Sequence, residues 1–185
     1  MLTTTVLWVL LCLSSVTTAL PTAPRTNRRT CTNHLINQSF ESGAIDPWFT
    51  IVESAWSTRG VFANPFTHGG THHYYARATS TIASSLTLSQ SELDAPVGGT
   101  VDCYAWVAGK RSEGVTRVEV FLDGVSCGAA QLGVGEGGWK RVGSKVKVAG
   151  GVSGMGSTLA VVATSQSAGQ EGWEVWVDDV GVVSC

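Results

Sequence analysis

Charged residues are scarce in this sequence. Only 14% of its 185 residues are Asp, Glu, Lys or Arg, whereas about 25% is usual for a soluble domain. The formal net charge is -2, which argues against a nucleic-acid partner because phosphate binding requires clustered Lys and Arg. Helical spacing of apolar residues is also missing; the apolar run at residues 6–13 is too short to cross a membrane as a helix, and no later run is long enough. These absences exclude a coiled coil and a membrane partner.

Glycine and β-branched residues are abundant instead. The chain has 22 Gly and is 43% hydrophobic, enough to bury a core. Apolar and polar residues alternate with period two in about nine segments separated by Gly-rich turns, which predicts an all-β sandwich. The predicted strands are His34–Asn37, Trp48–Ser54, His72–Ala78, Ile82–Leu88, Thr100–Ala108, Thr116–Asp123, Trp139–Val148, Thr158–Thr164 and Glu174–Val183.

The N-terminal region is typical of a secreted protein. The apolar run 6–13 and the small residues at 17–19 predict a signal peptide over residues 1–19. Residues 20–29 are polar and end in Arg28-Arg29, so they are either a propeptide cut after the dibasic pair or a flexible tail. Residues 30–185 then form one extracellular domain.

Four cysteines remain after the signal peptide, and an even number in an oxidising compartment indicates disulfides. Cys31 and Cys185 lie at opposite ends of the domain, and Cys103 and Cys127 lie near adjacent strands. We therefore predict the pairs Cys31–Cys185 and Cys103–Cys127. A zinc site is disfavoured, because no two cysteines have the short spacing that zinc sites use.

Several short motifs resemble one family in order and spacing. They are 35–43 (Leu-Ile-Asn-Gln-Ser-Phe-Glu-Ser-Gly), Pro47-Trp48, 69–76 (Gly-Gly-Thr-His-His-Tyr-Tyr-Ala), 86–90 (Leu-Thr-Leu-Ser-Gln) and 175–180 (Val-Trp-Val-Asp-Asp-Val). Through these motifs the chain resembles carbohydrate-binding modules of the CenC type, families 4 and 9. It is similar to small secreted fungal modules that occur without an attached enzyme. The resemblance implies a galactose-binding-like jelly roll and a buried Trp48.

Binding of a polysaccharide requires aromatic rings on which sugar rings can lie, with polar groups beside them. Tyr104 and Trp106 lie opposite the apolar side of their strand and form the best candidate pair, unless both faces of that strand are buried. Trp56, in a Ser-rich segment, is a second candidate platform. Tyr74 and Tyr75 face opposite sides of one strand, so one of them belongs to the core; we assign Tyr74 to the binding surface.

The resemblance also implies a structural calcium ion. Glu41 and Asp178 are the corresponding acids, and carbonyls of Gly69-Gly70 could complete an oxygen-rich site; the alternative is solvated or salt-bridged carboxylates. His72 and His73 face opposite sides of a strand, so no transition-metal site with His68 is expected. Asn37-Gln38-Ser39 is a sequon and predicts glycosylation of Asn37.

Taken together, the sequence features predict a secreted, non-catalytic, monomeric protein that binds a polysaccharide or cell-wall glycan. The sequence lacks a Gly-x-Ser-x-Gly motif and has no evident pair of carboxylates on its strands, so neither pattern of a hydrolase is present. Two alternatives stay open: a structural or host-interaction protein on the same fold, and a small glycan-active hydrolase.

Overall fold

The computed structural model describes residues 30–53, 56–79, 83–111, 114–135, 137–151, 155–165 and 171–185. The predicted signal peptide and the segment 20–29 lie outside these residues. Eleven strands account for the regular structure of the described chain: β1 Thr32–Asn33, β2 Phe49–Glu53, β3 Trp56–Ala63, β4 His72–Ala78, β5 Ser84–Leu93, β6 Thr100–Arg111, β7 Thr116–Leu122, β8 Val125–Leu132, β9 Lys140–Lys147, β10 Ser157–Ser165 and β11 Trp173–Ser184. The described residues contain no helix that is long and apolar enough to span a bilayer.

The strands form two antiparallel sheets packed face to face. Sheet A has the order β3-β4-β11-β6-β9, with β1 added on β11, and sheet B has the order β2-β5-β10-β7-β8. Chain neighbours such as β5 and β6 lie in different sheets, so the chain crosses repeatedly between them. This architecture confirms the predicted all-β jelly-roll sandwich.

Most predicted strands are confirmed to within a few residues, and His72–Ala78 has the predicted bounds. The strand predicted at 34–37 is wrong: Asn37 has a positive φ, and its carbonyl accepts a bond from the Phe40 N–H, which closes a turn there. A strand at Trp56–Ala63 was not predicted, because its Ser, Thr, Arg and Gly residues show no clear alternation.

The core lies between the sheets and is built from the inward residues of each strand. Trp173 is fully buried, and its indole N–H donates to the Ser84 hydroxyl at 2.9 Å. Trp48 is buried as predicted and donates to the carbonyl of Asn37 at 3.0 Å. Because both indole N–H groups have acceptors, these two rings are buried without an unpaired donor.

Both predicted disulfides are present. Cys31–Cys185 has a sequence separation of 154 residues and joins the two ends of the described chain. Cys103–Cys127 links β6 of sheet A to β8 of sheet B. Crosslinks of this kind restrict the unfolded chain, and two of them are consistent with an extracellular protein.

Candidate functional site

The outer face of sheet A carries the candidate site. Along β6, Val101, Cys103, Ala105 and Val107 point into the core and are at most 1% exposed. Tyr104 and Trp106 alternate with them on the outer side and are half-buried. The predicted orientation of this pair is therefore confirmed, and their strand is not buried on both faces.

A connected set of aromatic rings crosses this outer face. Tyr75 of β4 lies directly opposite Trp176 of β11, with ring centroids 5.4 Å apart. Phe62 of β3 packs edge-on against Tyr75 at 5.6 Å. Phe66 contacts Trp176 at 5.1 Å and stacks on Trp139 at 5.5 Å. We call these five side chains the aromatic face.

Trp176 is central to the aromatic face. It contacts Tyr75 on one side and Phe66 on the other. Its partner across the sheet on β6 is Ala108, which is fully buried although it lies on the outer side. Ala108 is therefore covered by neighbouring side chains at this position of the outer face.

His68 closes one end of the site. Its imidazole stacks on Trp106 with a centroid distance of 3.8 Å, and its Nδ1 lies 2.6 Å from Asp179 Oδ2. It also contacts Trp139 edge-on at 5.9 Å. One side of the Trp106 ring is thus occupied by His68.

Three carboxylates hold the loop of residues 64–71, which carries Phe66 and His68. Glu41 accepts bonds from the backbone N–H groups of Thr71 and His72, both at 2.8 Å, and from the Thr71 hydroxyl at 2.9 Å. The His72 N–H contributes most to lowering the pKa of Glu41. Gly70 has a φ of +62°, which favours glycine, and a Cβ there would also displace the Glu41 carboxylate from its bonds to the loop.

Asp178 is fully buried beneath this loop. Its Oδ2 accepts from the N–H groups of His68 at 2.9 Å and Gly69 at 3.2 Å. Burial nevertheless raises its pKa, and the neighbouring charge of Asp179 raises it further. Such a buried carboxylate would be stabilised by a cation.

The two predicted calcium ligands, Glu41 and Asp178, thus both accept hydrogen bonds from the loop 64–71. No group of three His, Cys, Asp or Glu residues in the described chain is arranged to hold a metal ion. An ion shared by Glu41 and Asp178 would have to take its remaining ligands from backbone carbonyls, as expected at Gly69-Gly70. Asp178 Oδ2 and Glu41 Oε1 each already accept two backbone N–H bonds, so an ion here would use the other carboxylate oxygens, and the calcium site stays a prediction.

Three charged residues, Arg77, Glu174 and Lys110, lie side by side on β4, β11 and β6, two residues along the strands from Tyr75, Trp176 and Ala108. We call them the charged row. Glu174 lies opposite Arg77 on β4 and Lys110 on β6. The Tyr75 hydroxyl donates to Glu174 Oε1 at 2.8 Å. Burial, with Glu174 beside it, raises the pKa of Tyr75 to about 12, so the phenol stays a proton donor near neutral pH.

Tyr104 lies further along the same outer face, between two glycines. It is opposite Gly181 on β11 and Gly143 on β9. A Cβ on Gly181 would lie 2.3 Å from the Tyr104 ring, so the ring lies flat across that position. The Arg141 guanidinium sits 4.1 Å above the ring and binds Asp102 at 2.7 Å.

The assignment of Tyr74 to the binding surface is wrong, whereas that of Trp56, which is half-buried, stays a prediction. Tyr74 is fully buried and packs against Phe40 at 6.1 Å, so Tyr75 is the tyrosine that faces outward. Trp56 packs edge-on against the buried Trp173 at 4.9 Å. Its indole N–H donates to backbone carbonyls of Glu53 and Ser85, which fixes the ring at the core.

The predicted glycosylation residue has a structural role. Asn37 Nδ2 donates to the carbonyls of Ala44 at 2.8 Å and Asp46 at 3.1 Å, and Oδ1 accepts from the Ser42 N–H. A glycan on Nδ2 would replace one of these donors. Glycosylation of Asn37 stays a prediction, in competition with these bonds.

The sequence did not point to most of the aromatic face. The alternation of Glu174–Val183 places Trp176 opposite the core side, and this signal was available. Phe66 lies in a loop, where no periodicity indicates direction, and Phe62 belongs to a strand that was not predicted. Trp139 begins a predicted strand but lies just before β9 in the structure.

No protein-family model matches the sequence, and a sequence comparison with curated proteins finds no match. Solved structures are similar in fold. TmCBM61, in complex with β-1,4-galactotriose, has a TM-score of 0.57 at 19% identity, with 83% of this chain and 98% of that chain covered. The CBM22-1 xylan-binding domain of Xyn10C from Paenibacillus barcinonensis has a TM-score of 0.53 at 14% identity, covering 79% and 90%.

The fold also occurs in an enzyme. The Stig cyclase Fisc from Fischerella sp. TAU, in complex with an indole compound, has a TM-score of 0.53 at 16% identity and covers 83% of this chain and 98% of that chain. Carbohydrate-binding modules and a cyclase thus share this jelly roll. The fold alone therefore does not specify the function, which depends on the residues of the outer face.

Proposed function

We propose that this protein is a secreted, non-catalytic, monomeric carbohydrate-binding protein of the CenC type, and that it binds a polysaccharide on the aromatic face. The observation that carries the proposal is the connected set of rings from Phe62 to Trp139 on the outer side of one sheet. The apolar side of a sugar ring can stack on such rings. The fold shared with two carbohydrate-binding modules supports it.

The polar groups beside the rings suit binding better than catalysis. A glycosidase needs two carboxyl groups on one cleft, one acid and one base or nucleophile. Glu174, the carboxylate of the charged row, accepts the Tyr75 hydroxyl, while Asp178 and Asp179 hold the loop 64–71. These acids therefore have structural partners, and Glu174 and Arg77 are placed to hydrogen-bond sugar hydroxyls.

Retention on polysaccharides tests the proposal. The protein is incubated with insoluble xylan, β-glucan, galactan and chitin, and its mobility is measured in gels containing soluble forms of the same polymers. We expect retention on at least one polymer and no release of reducing sugar. Absence of retention on all of them would favour an interaction protein, and released reducing sugar would favour a hydrolase.

The calcium ion belongs to the same proposal. We expect EDTA to lower the melting temperature and added Ca²⁺ to restore it, by about 5–10 °C at a hundredfold excess over the dissociation constant. The shift should be absent in Glu41→Gln, which keeps the size of the side chain but removes its charge, and Mg²⁺ should not replace Ca²⁺. An unchanged melting curve after exhaustive dialysis against EDTA would contradict the calcium proposal.

A further inference from the structure

A small pocket of about 270 Å³ opens at the charged row, next to the aromatic face. It is lined by Arg77, Lys110, Arg111, Glu171, Gly172 and Glu174. Three of these side chains are cationic and two are anionic, so the pocket carries an excess of one positive charge in a chain whose formal net charge is -2. The local charge is thus opposite in sign to that of the whole protein.

Most charged groups of the pocket already have protein partners. Glu174 accepts the Tyr75 hydroxyl at 2.8 Å and lies 4.0 Å from Arg77 Nε. Arg77 also donates to the Glu171 carbonyl at 3.3 Å. Arg111 is buried and donates to the hydroxyls of Thr116 and Ser165 at 2.8 and 2.9 Å.

Lys110 differs from them. It is exposed and lies opposite Glu174 in the strand register, yet it forms no ion pair with any residue of the described segments. An exposed ammonium at a pocket rim can bind an anion with little loss of existing contacts. Among the cations of this pocket, Lys110 is therefore the one that can bind an anion without giving up an ion pair or a hydrogen bond to the described residues.

The position of Lys110 relative to the aromatic face indicates which class of polysaccharide would bind. Lys110 follows Ala108 by two residues on β6, and Ala108 is opposite Trp176. Two residues of a strand span about 7 Å, so an anion held by Lys110 lies next to a sugar ring stacked on Trp176. We infer that the preferred ligand is an acidic polysaccharide whose sugar carboxylates bind at Lys110, an inference that rests on the proposed binding function of the aromatic face.

Paired polymers that differ only in charge test this inference. Affinities of the full protein are measured for glucuronoxylan and for the same xylan after its uronates are reduced to neutral sugars, and for polygalacturonate and its methyl ester. For at least one pair, we expect the acidic form to bind about fivefold to tenfold more tightly at about 20 mM salt, and the difference to disappear at about 0.5 M.

Two variants separate this inference from the proposed function. Lys110→Gln should abolish the preference for the acidic form while the affinity for the neutral form stays unchanged. Lys147→Gln removes the same charge from an exposed position near the other end of sheet A and should keep the preference. Equal or weaker binding of the acidic forms would overturn the inference alone, whereas no binding of any form would overturn the proposed function as well.

Discussion

Replacing Trp176 with alanine should lower the affinity for the bound polysaccharide by about thirtyfold to a hundredfold, the range of an aromatic residue that dominates a binding surface. Trp176 contacts both Tyr75 and Phe66, so its removal takes away a ligand platform and also loosens the rings beside it. The affinity is measured by calorimetry with whichever polymer the unmodified protein retains.

Phe49 provides the matched control. It is an aromatic residue, 44% exposed, on the edge strand β2 of the opposite sheet. Phe49→Ala should leave the affinity unchanged, and a melting curve of each variant checks that it is folded. Equal affinity of Trp176→Ala and the unmodified protein would place the ligand elsewhere on the molecule.

Substitution of Gly143 with alanine should reduce the free energy of unfolding by about 3 kcal/mol or more, because strain and overpacking add at this position. Gly143 has a φ of +136°, and a Cβ there would lie 2.1 Å from the carbonyl oxygen of Cys103. That carbonyl belongs to β6, so relief would require β6 and β9 to separate. Urea denaturation gives the change in stability.

Gly137 is the control for this substitution. It lies in the segment before β9, and nothing lies within 4 Å of a Cβ built on it. Gly137→Ala should change the stability by less than about 1 kcal/mol. If both variants were equally stable, the close approach of β9 to Tyr104 and the Cys103 carbonyl would be wrong.

The sequence predicted the features that depend on strand periodicity. Alternation along β6 placed Val101 and Cys103 inside and Tyr104 and Trp106 outside, as the structure has them. Alternation also required Tyr74 and Tyr75 to face opposite sides. It placed Tyr74 on the side of Ala76 and Ala78 and Tyr75 on the side of Arg77, which favours Tyr74 as the inward residue, and in the structure Tyr74 packs against the buried Phe40.

The features that the sequence could not predict depend on loops and on contacts between distant segments. Phe66 and His68 reach the outer face because Glu41, Asp178 and Asp179 bind the loop that carries them. The resemblance identified Glu41 and Asp178 as a pair near this loop. Nothing in the local pattern of 64–71 indicates that its side chains fold over Trp106 and Trp176.

The indole N–H resonances of the protein test the central claim most directly. Six of the seven Trp residues lie in the described chain: Trp106, Trp139 and Trp176 on the outer side of sheet A, and Trp48, Trp56 and Trp173 in or against the core. Each is assigned by a single substitution to Phe, and a soluble fragment of the retained polysaccharide is titrated into the labelled protein. We expect the resonances of Trp176 and Trp139 to shift with saturation while those of Trp48 and Trp173 stay fixed. Saturable binding that leaves Trp176 and Trp139 unshifted would contradict a binding site on the aromatic face.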